Sequence, residues 1–213
     1  MLANRKALVR SSRCILVAAA GAGLAAFSVL IGASSAQASA LATSFCDNSA
    51  LTQPFTPWAD SDLYKLAPGG DFESGAAGWT LNGGAQVVPG SEFFAVSGTL
   101  GSSSMQLPVG ASALSPATCV NAAYPSFRFF DLGPAGSGVN VSVVYTDPAG
   151  NVDVVPVGGV AGSAAWQPTA PMLTGSAIAG AGSGGTAMVQ LLFSAAGGTS
   201  QIDDVYVDPW SGH

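Results

Sequence analysis

The chain has 213 residues, with six basic side chains, twelve acidic side chains and one histidine, and its formal net charge is −6. Four of the cations, Arg5, Lys6, Arg10 and Arg13, precede a long apolar run, and removal of that segment leaves two cations against twelve carboxylates. A domain this acidic is unsuited to binding nucleic acid or an anionic membrane surface through phosphate contacts. Calcium or neutral polar ligands suit it better.

The N-terminal segment has the features of a secretory signal peptide. After the basic residues comes the apolar run from Ile15 to Ile31, and the small residues from Ala33 to Ala40 contain two A-x-A cleavage patterns. We therefore expect residues 1–40 to be a signal peptide, with the mature chain beginning at Ser39 or Leu41, and the protein to be secreted and free of the membrane after cleavage. The alternative is an uncleaved anchor, because the run approaches the length that spans a bilayer.

Residues 41–67 show no strand pattern and predict an irregular lead-in. Two cysteines remain after signal removal, Cys46 in the lead-in and Cys119 in the following domain. An even cysteine count in an exported chain predicts one disulfide, which would tether the lead-in to the domain. The chain-entropy model gives such a bridge about 4 kcal/mol. The alternative is two free thiols.

Residues 68–213 predict one all-β domain, because short β-branched segments alternate with turns rich in Gly, Pro, Ser and Asn. About nine antiparallel strands at this spacing suit a jelly-roll β-sandwich. The segment 171–185, rich in Gly, Ala and Ser, predicts a long loop with one short helix around 173–179. The predicted strands are 85–88, 93–96, 103–107, 112–114, 126–131, 139–146, 152–157, 186–194 and 202–207.

Side-chain alternation and residue type indicate which positions are buried and which could bind a ligand. Period two places Val139, Val141, Val143 and Tyr145 on the core face of their strand. Trp79 near the opening strand is expected to seal the core.

Three residues are candidates for ligand binding. Arg128, beside aromatic rings, could line a ligand face, and the favoured alternative is that it pairs with one of the many carboxylates. Trp166 and Gln167 adjoin the predicted loop and are the candidates for an exposed binding surface, although packing is the expected role of the tryptophan.

Several segments resemble known secreted domains. The opening segment Gly70–Gly75, the Gly78–Trp79 pair and the terminal Ile202–Val205 resemble the ends of carbohydrate-binding modules of the galactose-binding-like jelly-roll type, over about Pro68 to Asp208. Internal segments resemble more closely small secreted actinobacterial proteins of unassigned function: Gly83–Ala85, Tyr124–Phe130 and Trp166–Thr169. The resemblance implies a β-sandwich, and it specifies the fold better than a ligand.

In the carbohydrate-binding modules, a structural calcium commonly lies between the opening segment and the last strand. The resemblance therefore implies a calcium held by Glu73 with Asp203 or Asp204. Adjacent carboxylates repel unless a cation or strong donors neutralise them, and calcium needs several oxygen ligands. Asp203 and Asp204 point to opposite faces of a regular strand, so we expect one of them to be a ligand. The alternative is that one caps a turn and the other is solvated.

Catalysis is not expected, because the single histidine is His213 at the end of the sequence and no Ser-His-Asp or Cys-His arrangement is indicated. Two functions remain. The first is a non-catalytic binding module for glycans, which the resemblance and the supply of aromatic residues favour. The second is a secreted structural or adhesion domain that contacts another extracellular protein.

Overall fold

The computed structural model describes residues 51–121, 125–174, 178 and 186–209. Within these residues the regular structure consists of β-strands and one 3-10 helix at Thr56–Trp58, and no helix is long and apolar enough to cross a bilayer. The predicted signal peptide lies outside this range and stays a prediction. The strands are β1 (Lys65–Leu66), β2 (Thr80–Asn82), β3 (Gln86–Pro89), β4 (Ser103–Leu107), β5 (Ser112–Leu114), β6 (Thr118–Asn121), β7 (Ser126–Leu132), β8 (Gly138–Thr146), β9 (Val152–Ala161), β10 (Gln167–Pro168), β11 (Met172–Leu173), β12 (Thr186–Ala195) and β13 (Ser200–Asp208).

The strands form two antiparallel sheets. The seven-stranded sheet has the order β10-β7-β13-β4-β3, with β1 also paired to β13 and β11 also paired to β7. The six-stranded sheet has the order β2-β5-β12-β8-β9, with β6 also paired to β12. The predicted all-β jelly-roll sandwich is therefore confirmed. The described residues contain more strands than expected, because β1, β2, β6, β10 and β11 are too short to show a period.

Apolar side chains from alternating positions fill the space between the sheets. Val139, Val141 and Val143 of β8 are buried and Tyr145 is half-buried against the same core, as the period of two predicts. Phe129 of β7 crosses from the other sheet to contact this core. Burial of these side chains is the main stabilising contribution to the sandwich.

Trp79 closes one side of the core, which confirms its predicted role. Its ring lies 5.0 Å from that of Phe72, and its indole Nε1 donates to the Pro68 carbonyl at 3.1 Å. The polar atom of the indole is thus hydrogen-bonded while the ring excludes water.

The opening segment docks directly on the last strand. The Ala67 N–H donates to the Val205 carbonyl at 2.8 Å, and the Val205 N–H donates to the Gly70 carbonyl at 3.0 Å. A Cβ at position 70 would lie 2.9 Å from the Val205 oxygen, so only glycine permits this approach. The opening segment and β13 therefore meet, as the sequence predicted.

The described part of the lead-in, residues 51–67, packs against the seven-stranded sheet. An isolated bridge joins Thr52 to Tyr64, and β1 then pairs with β13. A second aromatic cluster forms between the lead-in and the sheet, with Phe55, Tyr64, Phe130, Trp166 and Tyr206 all buried. Cys119 lies on β6, but Cys46 is outside the described residues, so the disulfide stays a prediction.

Two local expectations are wrong. Residues 93–96 form a loop and not a strand, because a buried carboxylate takes backbone amides that a ladder would need. Leu173 lies in β11 and not in a helix, because it pairs with Ser126 of β7. The remaining residues of the predicted helix are outside the described range, apart from Thr174 and Ile178.

Candidate functional site

Arg128 is part of the buried structure and does not line a ligand face. Its side chain is 5% exposed, its Nη1 donates to Asp60 Oδ2 at 2.6 Å, and its Nε donates to the Thr169 carbonyl at 2.7 Å. The guanidinium carbon lies 4.1 Å from the centre of the Phe55 ring. The alternative of a carboxylate partner is confirmed, and the ligand-face hypothesis is wrong because the lead-in covers the guanidinium.

Asp60 completes this ion pair. Burial alone would raise its pKa, but hydrogen bonds from the Asp62 amide, the Tyr64 hydroxyl and Arg128, with the charge of Arg128, hold the pKa below its ordinary value. The Tyr64 hydroxyl donates to Asp60 Oδ2 at 2.8 Å. This network fixes the lead-in to the seven-stranded sheet.

Trp166 is also unavailable to a ligand. The residue is 7% exposed and packs in the second aromatic cluster, so packing, its expected role, is confirmed and the candidate exposed platform is not formed by this ring. Gln167, the next residue, is exposed on β10 and pairs with Asp131 of β7. The lead-in, which sequence periodicity could not place, is what buries the tryptophan.

Glu73 was predicted to bind calcium together with Asp203 or Asp204. In the structure its carboxylate is hydrogen-bonded to serines instead. The Glu73 side chain is exposed, and its Oε1 accepts from the Ser102 and Ser103 amides at 2.7 and 2.8 Å. Its Oε2 accepts from the Ser102 hydroxyl at 2.7 Å. These hydrogen bonds, led by the one from the Ser102 amide, lower the pKa of Glu73. Glu73 therefore joins the opening segment to the start of β4.

The two aspartates instead meet Glu92, in what we call the buried acid cluster: Glu92, Asp203 and Asp204. All three side chains are at most 4% exposed. Asp203 Oδ2 accepts from the Glu92 amide at 2.9 Å, and Asp203 Oδ1 accepts from the Asp204 amide at 2.9 Å. Burial raises the pKa of Asp203 to about 7. Burial, with the charges of Asp203 and Glu92, raises the pKa of Asp204 to about 8.

A break in β13 explains how consecutive aspartates are both buried. The register of β13 against β7 shifts between Asp203 and Tyr206, and Asp204 has a φ of 45°. The sequence predicted that Asp203 and Asp204 point to opposite faces because it treated β13 as a regular strand. The bulge makes the strand irregular at this point, so both side chains are buried. Left-handed backbone at a non-glycine residue is also a form of strain that concentrates at functional sites.

No group of three or more His, Cys, Asp or Glu side chains within the described residues is arranged to hold a metal ion. Of the three predicted ligands, Asp203 and Asp204 are together, whereas the Glu73 oxygens accept hydrogen bonds from serines. Calcium binding therefore stays a prediction. Of the predicted ligands, Asp203 and Asp204 lie together in the buried acid cluster.

An exposed group of aromatic rings lies above this cluster. We call it the aromatic patch: Trp58, Phe93 and Phe94. Phe93 is 59% exposed, Phe94 is 36% exposed and Trp58 is half-buried. The Phe94 ring centre lies 4.4 Å from that of Phe93 and 4.9 Å from that of Trp58. Phe94 also stacks on buried Phe130 at 5.5 Å, so the patch continues into the second aromatic cluster.

Hydrogen bonds to the Glu92 carboxylate fix the loop that carries the aromatic patch. The Glu92 carboxylate accepts from the Phe94 amide through Oε2 and from the Val96 amide through Oε1 at 3.4 Å. Ala95 has a φ of 54°, and its carbonyl accepts from the Gly98 amide at 2.9 Å. Sequence reasoning missed this site because it placed the two phenylalanines in a strand; the glutamate directly before them was the available signal.

Comparison with known proteins finds solved structures that are similar to this chain. No protein-family model matches the chain, and no curated protein matches it. The solved structures similar to it include the N-terminal CBM22-1-CBM22-2 tandem domain of Paenibacillus barcinonensis Xyn10C, with 14% identity and a TM-score of 0.48. The match covers 70% of this chain and 46% of the tandem domain.

Two further structures are similar. The first is the N-terminal CBM22-1-GH10 modules of Clostridium thermocellum xylanase 10B with xylohexaose, with 14% identity, a TM-score of 0.46, and coverage of 71% of this chain and 29% of that one. The second is TmCBM61 with β-1,4-galactotriose, with 18% identity, a TM-score of 0.41, and coverage of 68% of this chain and 99% of that one. The chain thus spans less than half the length of the first two structures.

Proposed function

We propose that this protein is a secreted, non-catalytic module that binds glycans through the aromatic patch. The observation that carries the proposal is the exposure of Phe93 and Phe94 on a loop held by a buried carboxylate. Exposed apolar groups of this kind, rimmed by polar residues, mark interaction sites. The sequence resemblance to carbohydrate-binding modules favours a sugar as the ligand.

The patch has the chemistry that a neutral sugar requires. An aromatic ring offers a flat apolar face to the C–H groups of a pyranose ring, and neighbouring polar groups replace water at its hydroxyls. Ser97 and Thr99 follow on the same loop and are exposed. The excess of carboxylates over cations disfavours anionic ligands and leaves neutral or cationic glycans.

The loop is also preorganised for binding. The amides of Phe94 and Val96 are already bonded to Glu92, and the turn at Ala95 closes through the Gly98 amide. Ordering a loop on binding costs free energy, so a loop that is fixed beforehand gains affinity.

A glycan array probed with the mature protein tests the proposal. Saturable binding should appear for at least one class of neutral or amino-containing polysaccharide. Phe93→Ala should weaken it by about tenfold, because truncating an anchor residue at an interface costs more than about 1 kcal/mol. Val109→Ala is the matched control, because Val109 is 68% exposed and lies outside the patch. Equal loss in both variants would contradict the proposal.

The second candidate is a structural or adhesion domain that contacts another extracellular protein. The observation that favours it is the exposure of Val152 and Val154, at 67% and 53%, on β9, which is an edge strand of the six-stranded sheet. This candidate would be favoured if the protein bound no glycan on the array and adhered to a protein-coated surface, with Val154→Asp abolishing the adhesion.

A further inference from the structure

A cavity that is separate from the aromatic patch lies at the end of β7, beside the segment that joins β9 to β10. The cavity is about 230 Å³, and the residues that line it are Asp131, Val160, Ala161, Ser163, Gln167, Pro168, Thr169 and Ala170. This volume is several times that of a water molecule and below that of a typical drug-sized pocket. It can hold a single sugar residue or a group of similar size.

The cavity contains a buried carboxylate with an unpartnered oxygen. Asp131 is 3% exposed, and its Oδ2 accepts from the Ser163 amide at 3.2 Å. Its Oδ1 has no hydrogen-bond partner among the residues that the structure describes. Leaving a buried polar atom without a partner costs about 1–3 kcal/mol, and more for a charged group. A donor placed against this oxygen, whether from water or from a ligand group that replaces it, would remove that cost.

The part of the chain that the structure describes provides no cation for this carboxylate. Two cations remain after the predicted signal segment, Lys65 and Arg128. Arg128 donates to Asp60 and to the Thr169 carbonyl, and Lys65 lies on β1 opposite Val207. Burial raises the pKa of Asp131 to about 6, which still leaves the carboxylate mostly charged at neutral pH. A positively charged donor from outside the chain satisfies both the charge and the lone pair.

We propose that this cavity binds a primary ammonium group, and that the ligand carrying it is an amino sugar within a glycan. The choice of a sugar rests on the proposed function, whereas the choice of an ammonium rests on Asp131. An ammonium has three donors, and Ser163 and Gln167, whose side chains contain oxygen acceptors, are among the residues that line the same cavity. Val160 and Pro168 give the cavity an apolar wall for the sugar ring.

The test is run at a pH at which glucosamine amines are protonated, and it compares two tetrasaccharides that differ only at nitrogen: β-1,4-linked glucosamine, which is then cationic, and its fully N-acetylated form, which is neutral. Calorimetric titration of the mature protein should show about tenfold tighter binding of the glucosamine tetramer, because hydrogen bonds to charged groups are the strong ones. Asp131→Asn keeps the side-chain shape and removes the charge, so it should abolish this preference. Ala170→Phe should do the same by filling the cavity while keeping the carboxylate.

Each other outcome is decisive. Equal affinity for the two tetramers, or a preference that Asp131→Asn retains, overturns the inference. If both tetramers bind equally and Phe93→Ala weakens both, the proposed function stands while the ammonium site fails. If the preference depends on Asp131 and not on Phe93, the ammonium site stands without the aromatic patch. Tighter binding of a lysine tetrapeptide than of the glucosamine tetramer, with the same dependence on Asp131, overturns the assignment of a sugar.

Discussion

The buried acid cluster should make the fold less stable as the pH rises from about 5 to about 7. The pKa of Asp204 is raised to about 8 and that of Asp203 to about 7, whereas the ordinary value is 3.8. At a pH above the ordinary aspartate pKa, Asp203 and Asp204 are deprotonated in the unfolded chain but still hold their protons in the folded protein. The stabilisation is therefore complete below the unfolded pKa and is lost as the pH approaches the folded pKa.

The size of this effect follows from the shift at Asp204. Each pH unit within the window costs about 1.4 kcal/mol per retained proton, so Asp204 alone contributes about 3 kcal/mol over two units. Asp203 adds a smaller share, because its folded pKa lies at the end of the window. For a domain of this size, about 3 kcal/mol lowers Tm by about 6–12 °C. The lowered pKa values of Asp60 and Glu73 act in the opposite direction, below about pH 4.

Differential scanning calorimetry at the two pH values, at constant ionic strength and with a chelator present, measures the effect. Asp204→Asn removes one ionisable group of the cluster and should make the pH dependence less steep, whereas Asp203 and Asp131, whose pKa values are also raised, keep part of it. Asp62→Asn is the matched control, because Asp62 is half-buried in the lead-in and outside the cluster. A wild-type Tm that rises between about pH 5 and about pH 7 would refute the reasoning, as would an Asp204→Asn profile as steep as that of the wild type.

Two further predictions concern the lead-in and the predicted calcium. Arg128→Ala should lower the free energy of unfolding by about 1.5–3 kcal/mol in chemical denaturation, because Asp60 loses its charged hydrogen-bond donor and keeps only the Asp62 amide and the Tyr64 hydroxyl. Lys65→Ala is the control, and a loss below about 1 kcal/mol would contradict this expectation. Calcium added to chelator-treated protein at about pH 8 should release heat and raise Tm, and Asp204→Asn should abolish both effects whereas Glu73→Gln should not. The absence of heat and of stabilisation in the wild type would reject the calcium prediction.

The parts of the fold that sequence could predict are those with a local signal. β4 and β5 have the predicted bounds, because alternating residues flank a turn that contains Pro108 and Gly110. The core positions of β8 follow from the period of two. A two-residue strand such as β1 has no period to detect, and its pairing with β13 depends on the rest of the fold.

The candidate site was harder to predict because long-range contacts decide it. Phe93 and Phe94 have high strand propensity, and the competing hydrogen bonds, which the Phe94 and Val96 amides donate to the Glu92 carboxylate, depend on β13, whose Asp203 accepts from the Glu92 amide. The sequence favours packing for Trp166 but does not identify its partners, since Phe55 and Tyr64 of the same cluster lie about 100 positions earlier in the chain. The bulge at Asp204 likewise leaves no mark in the alternation of its strand.

NMR titration of isotope-labelled mature protein with the strongest binder from the array measures whether the aromatic patch binds glycans. We expect the perturbed signals to centre on the amides of residues 93–97, the ring protons of Phe93 and Phe94, and the indole of Trp58. Perturbations confined to the outer face of the six-stranded sheet, or the absence of perturbation at saturating glycan, would contradict this expectation.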